Sequence, residues 1–555
     1  MVSTKSASRV IAILLLVVMA MVQMAGCSSQ TTNTTATATT AATRYVEELK
    51  VGTTKACDNF NIAADDGSFQ KMNTNSFCVA PFIEYDETGE LLPNIMTDWE
   101  ILEDQKSMIA TFATDKGITW HDGQPLTMAD IVFTWDYLKN VLKIDKVDEL
   151  VSFEKIDDTR LKMYFKTSAY AFLMSIPTTE FVYPKHIWEN ITEPKTYTGA
   201  DATIGCGPYK YVGCDKDAQT MYFEAVDNYF KGELTVKKVS VRSFDNHDSL
   251  IMALKNGEID AMYDYSNSLD ASAAPSITGI EGLDPGMSQN ISNYQLVFGF
   301  NKTPTNELQF RKAVSCALDY SLLATAIGGE AGEIPGIGII SPPNVGFDSS
   351  LPKLKQDVAL AKSTLEAAGY KDINNDGYRE LPTGETMNVM VNPQFNKTKA
   401  ALYLRIAEII MKNLDAVGVK TTLDEQCANN SDYFMKVRKE GTYELFIGYT
   451  SPVFAHYKTA FFYMVQPLDN NKWGTCNIQE VVDAYKGLRT ASSTEEYISY
   501  AKTLQKLAGE DVFGLALCWD KAYFPYRTDK YEGWVNYPGW GVINNKTWYN
   551  VVMKS

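Results

Sequence analysis

Helix and strand patterns alternate from about Tyr45 to the end of the chain, which predicts an α/β or α+β body. Two strands are legible as runs in which apolar and polar residues alternate, Leu161–Phe165 and Val236–Val241. Three helices are legible from spacing. Thr127 and Asp130 form a capping box before Ile131, Val132, Trp135 and Leu138. Phe310, Ala313, Val314, Ala317 and Leu318 share one face, and Leu402, Ile406, Ile409, Ile410 and Leu414 share another that ends at Gly418. No internal repeat of fixed period is present.

The chain has 555 residues, enough for three to four folding units at roughly 150 residues each. It is 45% hydrophobic and 21% charged, a composition that excludes a mainly disordered or fibrous protein. The formal net charge is -17, so a phosphate backbone is a poor partner and nucleic-acid binding is not expected. There is no phosphate loop, no Gly-x-Ser-x-Gly elbow and no His-Glu-x-x-His. The four histidines, His121, His186, His247 and His456, are far apart in sequence. No cofactor is implied, and the chain does not read as an enzyme. Gly328 to Gly332 reads as a loop after a helix.

The one candidate membrane segment is Val10 to Met24, preceded by Lys5 and Arg9. At fifteen residues it is short for a spanning helix, which needs about 20. A cationic start, a short apolar stretch and then small residues read as a signal peptide, residues 1–26. Met24-Ala25-Gly26-Cys27 resembles a bacterial lipobox, which implies that Cys27 carries the lipid and becomes the mature N-terminus. The Thr/Ala-rich stretch to Thr43 then reads as a tether over 27–43.

Of the nine cysteines, Cys206 and Cys214 flank a hairpin-like stretch and form a conceivable pair, and Cys316 reads as a buried thiol. Asp372, Asn374, Asp376, Gly377 and Glu380 follow the start of a calcium loop, but its twelfth position is Thr383 where a bidentate Glu is usual. The same residues make a polar turn, and both readings stay open.

Several blocks, in order, give the chain from about Val51 to its end a wider resemblance. They include Gly89 to Glu100, then Trp120-His121-Asp122-Gly123 followed by Pro125, Thr127 and Asp130. Pro184 to Trp188, Gly205 to Tyr209, Asn228 to Phe230, Leu254 to Asp260, Phe310 to Asp319, Ala368 to Tyr370 and Gly533 to Val535 follow. This pattern resembles the family 5 extracellular solute-binding proteins, the oligopeptide, dipeptide and nickel receptors of ABC importers. Singly, the blocks read as scaffold: Trp120 to Asp122 as a packed turn, Gly257 as a helix end, Arg311 and Asp319 as folding residues.

The resemblance implies an α/β, two-lobed fold like that of type II periplasmic binding proteins, with an extra subdomain inserted in the first lobe. Carried onto this chain, the first lobe is 44–298 including an insertion at about 80–200, the second is 299–510, and 511–555 returns to the first. Solute would lie between the lobes. Peptide-binding members hold the ligand's ends with charges, yet Phe446 to Phe454 and Met390 to Phe395 contain neither the Asp nor the Arg expected there. Peptide stays the default ligand, with an oligosaccharide or metal chelate as the alternative. The expected ligand-facing residues are Tyr449, Asn392, Gln394, Tyr294 and Trp519; Tyr294 and Trp519 also fit a packing role. The implied partners are an ABC permease, its ATPase subunits and, through Cys27, the outer face of the cytoplasmic membrane; a monomer is expected. A surface sensor or an exported hydrolase on the same scaffold are the rival readings.

Overall fold

The structure, a computed structural model, describes residues 44–56, 61–63, 77–175, 180–264, 267–289, 292–450, 461, 464–465 and 474–555. The signal, the tether, Cys27 and Ser451 to Phe454 lie outside the described residues. Among the described residues no helix is long and apolar enough to cross a membrane.

Two sheets carry the architecture. The first has seven strands in the order Leu283–Asp284, Tyr526–Arg527, Ala261–Met262, Leu49–Thr53, Lys238–Ser243, Thr220–Ala225 and Tyr209–Asp215. Leu49–Thr53 runs parallel to both Lys238–Ser243 and Ala261–Met262, so these three strands share one carboxyl edge. The second has five strands in the order Thr421–Leu423, Val389–Pro393, Leu445–Thr450, Ser292–Phe298 and Gly514–Asp520. Ser292–Phe298 is antiparallel to both neighbours, and Val389–Pro393 is parallel to its own. Hence Pro393, Leu423, Thr450 and Asp520 all end at one edge. Gly514–Asp520 is buried at every position, the continuous pattern of a strand covered on both faces.

A third body has its own antiparallel sheet in the order Met96–Ile101, Ser107–Phe112, Arg160–Phe165 and Leu150–Lys155. Its core centres on Trp135, Phe82, Phe112 and Trp188. Trp135 stacks on Phe82 with centroids 4.2 Å apart. The helix Met128–Asn140 covers it with the capping box in place, and Asp130 also accepts from Lys185 N at 3.0 Å. Backbone bonds join this body to the first sheet, Gly207 N to Cys78 O at 2.9 Å and Tyr209 N to Phe77 O at 3.0 Å.

The chain passes between the two main sheets at paired segments. Ser288 N donates to Ala522 O at 2.8 Å and Ala522 N to Ser288 Oγ at 3.0 Å. Gly286, at φ +60, lies against Phe524, and an added Cβ would come 1.9 Å from Phe524 O. Ser292–Phe298 and Gly514–Asp520 belong to the five-stranded sheet, so the sheets change over before Ser292 and after Asp520. Of the expected limits, residue 298 is the last of Ser292–Phe298, and residue 511 is the last of the helix Thr494–Asp511, just ahead of Gly514–Asp520. The expected strand at Val236–Val241 is likewise displaced to Lys238–Ser243.

The helices Leu308–Ala317 and Ala400–Asp415 match the two apolar faces, and Gly418 takes φ +78 beyond the second. Asp319 caps the next helix, accepting from Leu322 N at 2.9 Å. Cys206 is buried and Cys214 half-buried, and the two are not paired with each other. Cys206 is in the third body's core, whereas Cys214 is on the edge strand, which keeps them apart. Cys316 is half-buried rather than buried.

Buried Arg311 binds four carbonyl oxygens with its fork, those of Thr305, Asn306, Asp511 and Val512. It thereby ties the start of one helix to the end of the helix Thr494–Asp511, where a cation suits the helix dipole. Arg311→Lys keeps the charge but cannot reproduce the planar fork. Urea unfolding should show a loss of about 2–3 kcal/mol; unchanged stability would show that the fork holds nothing.

Candidate functional site

The carboxyl edges of the two sheets face each other across a seam, the position at which open α/β sheets place their ligands. On the first sheet, Thr54 and Lys55 follow Leu49–Thr53, and Asp264 follows Ala261–Met262. His247 opens the helix His247–Lys255, which is capped by Asn246 through Ser249 N at 2.9 Å. On the second sheet, Gln394, Asn396, Thr398 and Lys399 follow Val389–Pro393 and lead into the helix Ala400–Asp415. Asn396 Oδ1 accepts from the backbone N–H groups of Thr398 and Lys399, both at 3.0 Å, and so shapes that helix entry.

Side chains from both edges meet. Thr398 Oγ lies 2.8 Å from Asn267 Oδ1 and 3.0 Å from Asn396 Oδ1, so its one proton serves one of them at a time. Asn267 Nδ2 donates to Asp264 Oδ2 at 3.2 Å. Asp264 is 0% exposed. Its Oδ2 also accepts from Thr54 N at 3.3 Å and from the Thr54 hydroxyl. Asp264 Oδ1 accepts no hydrogen bond among the described residues, and Lys55 Nζ lies 3.8 Å from it. His247 Nε2 is 3.5 Å from Asp264 Oδ2.

A second charged pair crosses the seam, with Lys399 Nζ 3.4 Å from Asp270 Oδ1. A lysine at the start of a 16-residue helix opposes the helix dipole, and burying its ammonium adds a cost that Asp270 offsets. Lys399 Nζ is also 5.6 Å from the centroid of the Tyr449 ring. The Tyr449 and Tyr294 rings are 4.8 Å apart, and Tyr403 lies 5.8 Å from Tyr294 on the same cluster. Near the crossing segments Ala271 Cβ lies 3.7 Å from where a side chain on Gly329 would begin.

The five residues singled out in the sequence occupy different settings. Tyr449 is half-buried at the seam, and its N–H donates to Gln394 Oε1 at 3.2 Å. Gln394 is half-buried beside it. Asn392 is buried with both ends of its amide bonded inside the sheet, Nδ2 to Asp424 Oδ2 at 2.9 Å and Oδ1 from Glu444 N at 3.1 Å. Tyr294 is fully buried, and burial holds its phenol well above the usual range. Trp519 is buried, donates from Nε1 to Ile339 O at 3.0 Å, and lies under Lys353 Nζ at 4.0 Å.

Sequence reasoning missed Asp264, Asn267, Asp270, Thr398 and Lys399. Asn396 ahead of the apolar helix run was a readable capping signal. Its partner across the seam was not readable, because Asn267 and Thr398 are 131 residues apart in the chain.

The other motifs resolve into scaffold. His121 is half-buried with its Nε2 3.0 Å from Gly207 O, and its loss of solvent lowers its basicity. Asp122 accepts from His186 at 2.8 Å. In the Asp372–Glu380 loop, Asp372 accepts from Asp376 N and Gly377 N, and Asp376 from Tyr378 N. Glu380 accepts from Ile373 N at 2.7 Å and Asn374 Nδ2 at 2.9 Å. These oxygens close a polar turn on its own backbone. Among the described residues no group of three or more His, Cys, Asp or Glu is arranged to hold a metal ion. A water-sized cavity lined by Glu84, Tyr229, Asn545 and Trp548 lies within the first sheet's body and includes no residue of the seam.

Two α/β lobes with facing carboxyl edges, joined by paired crossing segments, define a bilobed solute-binding protein fold. The chain belongs to the bacterial extracellular solute-binding proteins, family 5, whose model matches residues 90–472. It is 24% identical over 366 residues to the nickel-binding periplasmic protein of Escherichia coli strain K12, covering 64% of this chain and 66% of that protein. It is 26% identical over 329 residues to the oligopeptide-binding protein AppA of Bacillus subtilis strain 168, covering 56% of this chain and 58% of AppA. The chain thus spans less than two thirds of these curated relatives. Structural likeness extends further. The AppA structure in complex with a nonapeptide superposes with a TM-score of 0.72 at 17% identity, over 92% of this chain and 100% of that one. The oligopeptide-binding protein of Thermotoga maritima with bound mannohexaose gives 0.73 at 19% identity, over 92% of this chain and 99% of that one.

Asn267→Ala removes a donor to Asp264 and an acceptor from Thr398 together. Buried Asp264 loses a donor while Thr398 keeps Asn396 as its acceptor, so chemical denaturation should show about 1–3 kcal/mol of destabilisation. A loss below about 0.5 kcal/mol, the level of an ordinary surface change, would remove Asn267 from the seam's framework.

Proposed function

We propose that this protein is an extracytoplasmic receptor that captures a solute between its lobes and hands it to the permease of an ABC importer, with a peptide as the default solute. The chain does no covalent chemistry, in keeping with a family of binding proteins. The observation that carries the reading is the seam. Opposite charges stand there on both lobes, Asp264 with Lys55 on one and Lys399 against Asp270 across the gap. Neither pair is in the stretches where the family resemblance led us to look for countercharges. A solute with polar or charged ends would therefore find partners from elsewhere in the same cleft, which answers the cost of burying an uncompensated charge.

The finer organisation belongs to this proposal. Residues 1–26 are a lipoprotein signal, Cys27 the lipid attachment site and 27–43 a tether that holds the body off the outer face of the cytoplasmic membrane. The scaffold is of the type II kind, and the third body is the subdomain inserted in the first lobe at about 80–200. Tyr449 and Gln394 face the solute. Asn392, Tyr294 and Trp519 act behind them, shaping the strands that present the edge. Lobe closure is a population shift driven by the greater affinity of the closed arrangement for solute.

A neutral solute is the second reading, favoured by the mannohexaose-bound relative of the same fold. Aromatic faces such as that of Tyr449 suit sugar rings as well as apolar side chains.

A thermal-shift screen of the protein, stripped of bound solute by partial unfolding and dialysis, separates these readings. A solute at 100 times its Kd adds about 2.7 kcal/mol of stability. Stabilisation by peptides supports the default, stabilisation by oligosaccharides alone moves the specificity to neutral solutes, and turnover of any of them contradicts a receptor. Tyr449→Ala should weaken binding about tenfold, as loss of one aromatic contact does, with little loss of fold in the stripped protein. Equal affinity by titration calorimetry would place Tyr449 outside the solute contact.

A further inference from the structure

The third body touches the second lobe at a point built from other elements than the seam. Ser168 stands just before the helix Ala169–Ser175 and is buried. Its hydroxyl works in both directions, accepting from Ala171 N at 3.0 Å and donating to Ala491 O at 2.7 Å. Ala491 is itself buried in the turn between the second-lobe helices Gln479–Thr490 and Thr494–Asp511. Beside it, Tyr170 Oη and Thr494 Oγ lie 2.9 Å apart. The donor and acceptor of the buried bond are 323 residues apart in the chain.

The mechanical consequence follows from what each side is attached to. The third body is joined to the first lobe by backbone bonds at Phe77 and Cys78. It moves with that lobe. Ala491 sits in the turn of a helix pair whose core residues, Tyr485, Leu488, Tyr497 and Leu504, belong to the second lobe's core. Rotation about the crossing segments must therefore break the Ser168–Ala491 bond. While the lobes are together that bond satisfies a buried carbonyl; once they part, both groups must be met by water. A contact present in one arrangement and absent in the other shifts the balance between them.

We propose that Ser168 and its contact with the Ala491 turn form a clasp that favours the closed lobes, so that Ser168 sets the affinity for solute without touching it. This rests on the reading of the chain as a two-lobed receptor. Ser168 is a positioning residue. Because closure multiplies the affinity of every solute alike, loss of the clasp weakens all of them by one factor, whereas loss of a solute contact changes their ranking.

The test uses the whole protein carrying Ser168→Ala, Ser168→Thr and Tyr170→Phe. Small-angle scattering reads the radius of gyration of the solute-free protein, and calorimetry reads the affinity for tri-alanine, mannohexaose and nickel–histidine as probes. Ser168→Ala should expand the solute-free protein and weaken every probe that binds about tenfold, the effect of one buried carbonyl left without its donor. Ser168→Thr keeps the hydroxyl and should restore both readings. Tyr170→Phe, at the less buried bond, should move both in the same direction by less. An unchanged radius and unchanged affinities in Ser168→Ala overturn the clasp and leave the receptor reading intact. If no probe binds the unaltered protein, the radius alone decides: expansion in Ser168→Ala upholds the clasp and an unchanged radius overturns it. If Ser168→Ala does not fold, Tyr170→Phe decides by the same readings.

Discussion

One side-chain amide joins the chemistry of the two lobes. Asn267 gives its Nδ2 proton to Asp264 in the first lobe and offers its Oδ1 to Thr398 in the second. Around it the charges fall into place. Asp264 draws in Thr54 and stands near Lys55 and His247, while Asp270, three residues beyond Asn267, meets Lys399. The underlying constraint is topological. Parallel strands in each sheet bring several carboxyl ends, and the starts of the helices that follow, to one rim. With the rims facing each other, short polar turns from distant parts of the chain share one narrow space.

Much of the scaffold was legible because its signals are local. The capping box at Thr127 and Asp130, the apolar faces of Leu308–Ala317 and Ala400–Asp415, and Gly418 beyond the second are each written within a few turns of chain. The lobe limits were less legible. Whether Ser292–Phe298 belongs to one sheet or the other depends on Leu445–Thr450 and Gly514–Asp520, far along the sequence. The site was least legible. An aromatic near a cleft block can face the solute or the core, and the sequence does not separate Tyr449 at the rim from Tyr294 behind it on the neighbouring strand. Trp519 is held inward by Ile339 and Lys353, neither of which is near it in the chain. The charges at the seam were invisible for the same reason, since Lys399 makes sense at a helix start only when Asp270 stands opposite.

The polar character of the seam also bears on how such a protein works. An apolar interface between lobes would close firmly without any solute. A seam of hydrogen bonds and ion pairs gains little net from closing, because each group exchanges water for a partner of similar quality. Closure is then poised, and a solute that supplies partners to both rims can decide it. Elsewhere the lobes are firm: Arg311 locks two helices through four carbonyls, and the cores on either side are continuous. Rigid bodies with a finely balanced contact between them are what a capture-and-release receptor needs.

The most direct measurement is hydrogen–deuterium exchange of the protein, stripped of solute, with and without a binding peptide or sugar. The account predicts slowed exchange confined to the two rims and the crossing segments, in peptides spanning Thr53 to Lys55, Asn267 to Asp270, Gln394 to Lys399 and Ile447 to Thr450. Protection elsewhere with these four segments unchanged would contradict it, because solute would then be held somewhere other than between the lobes.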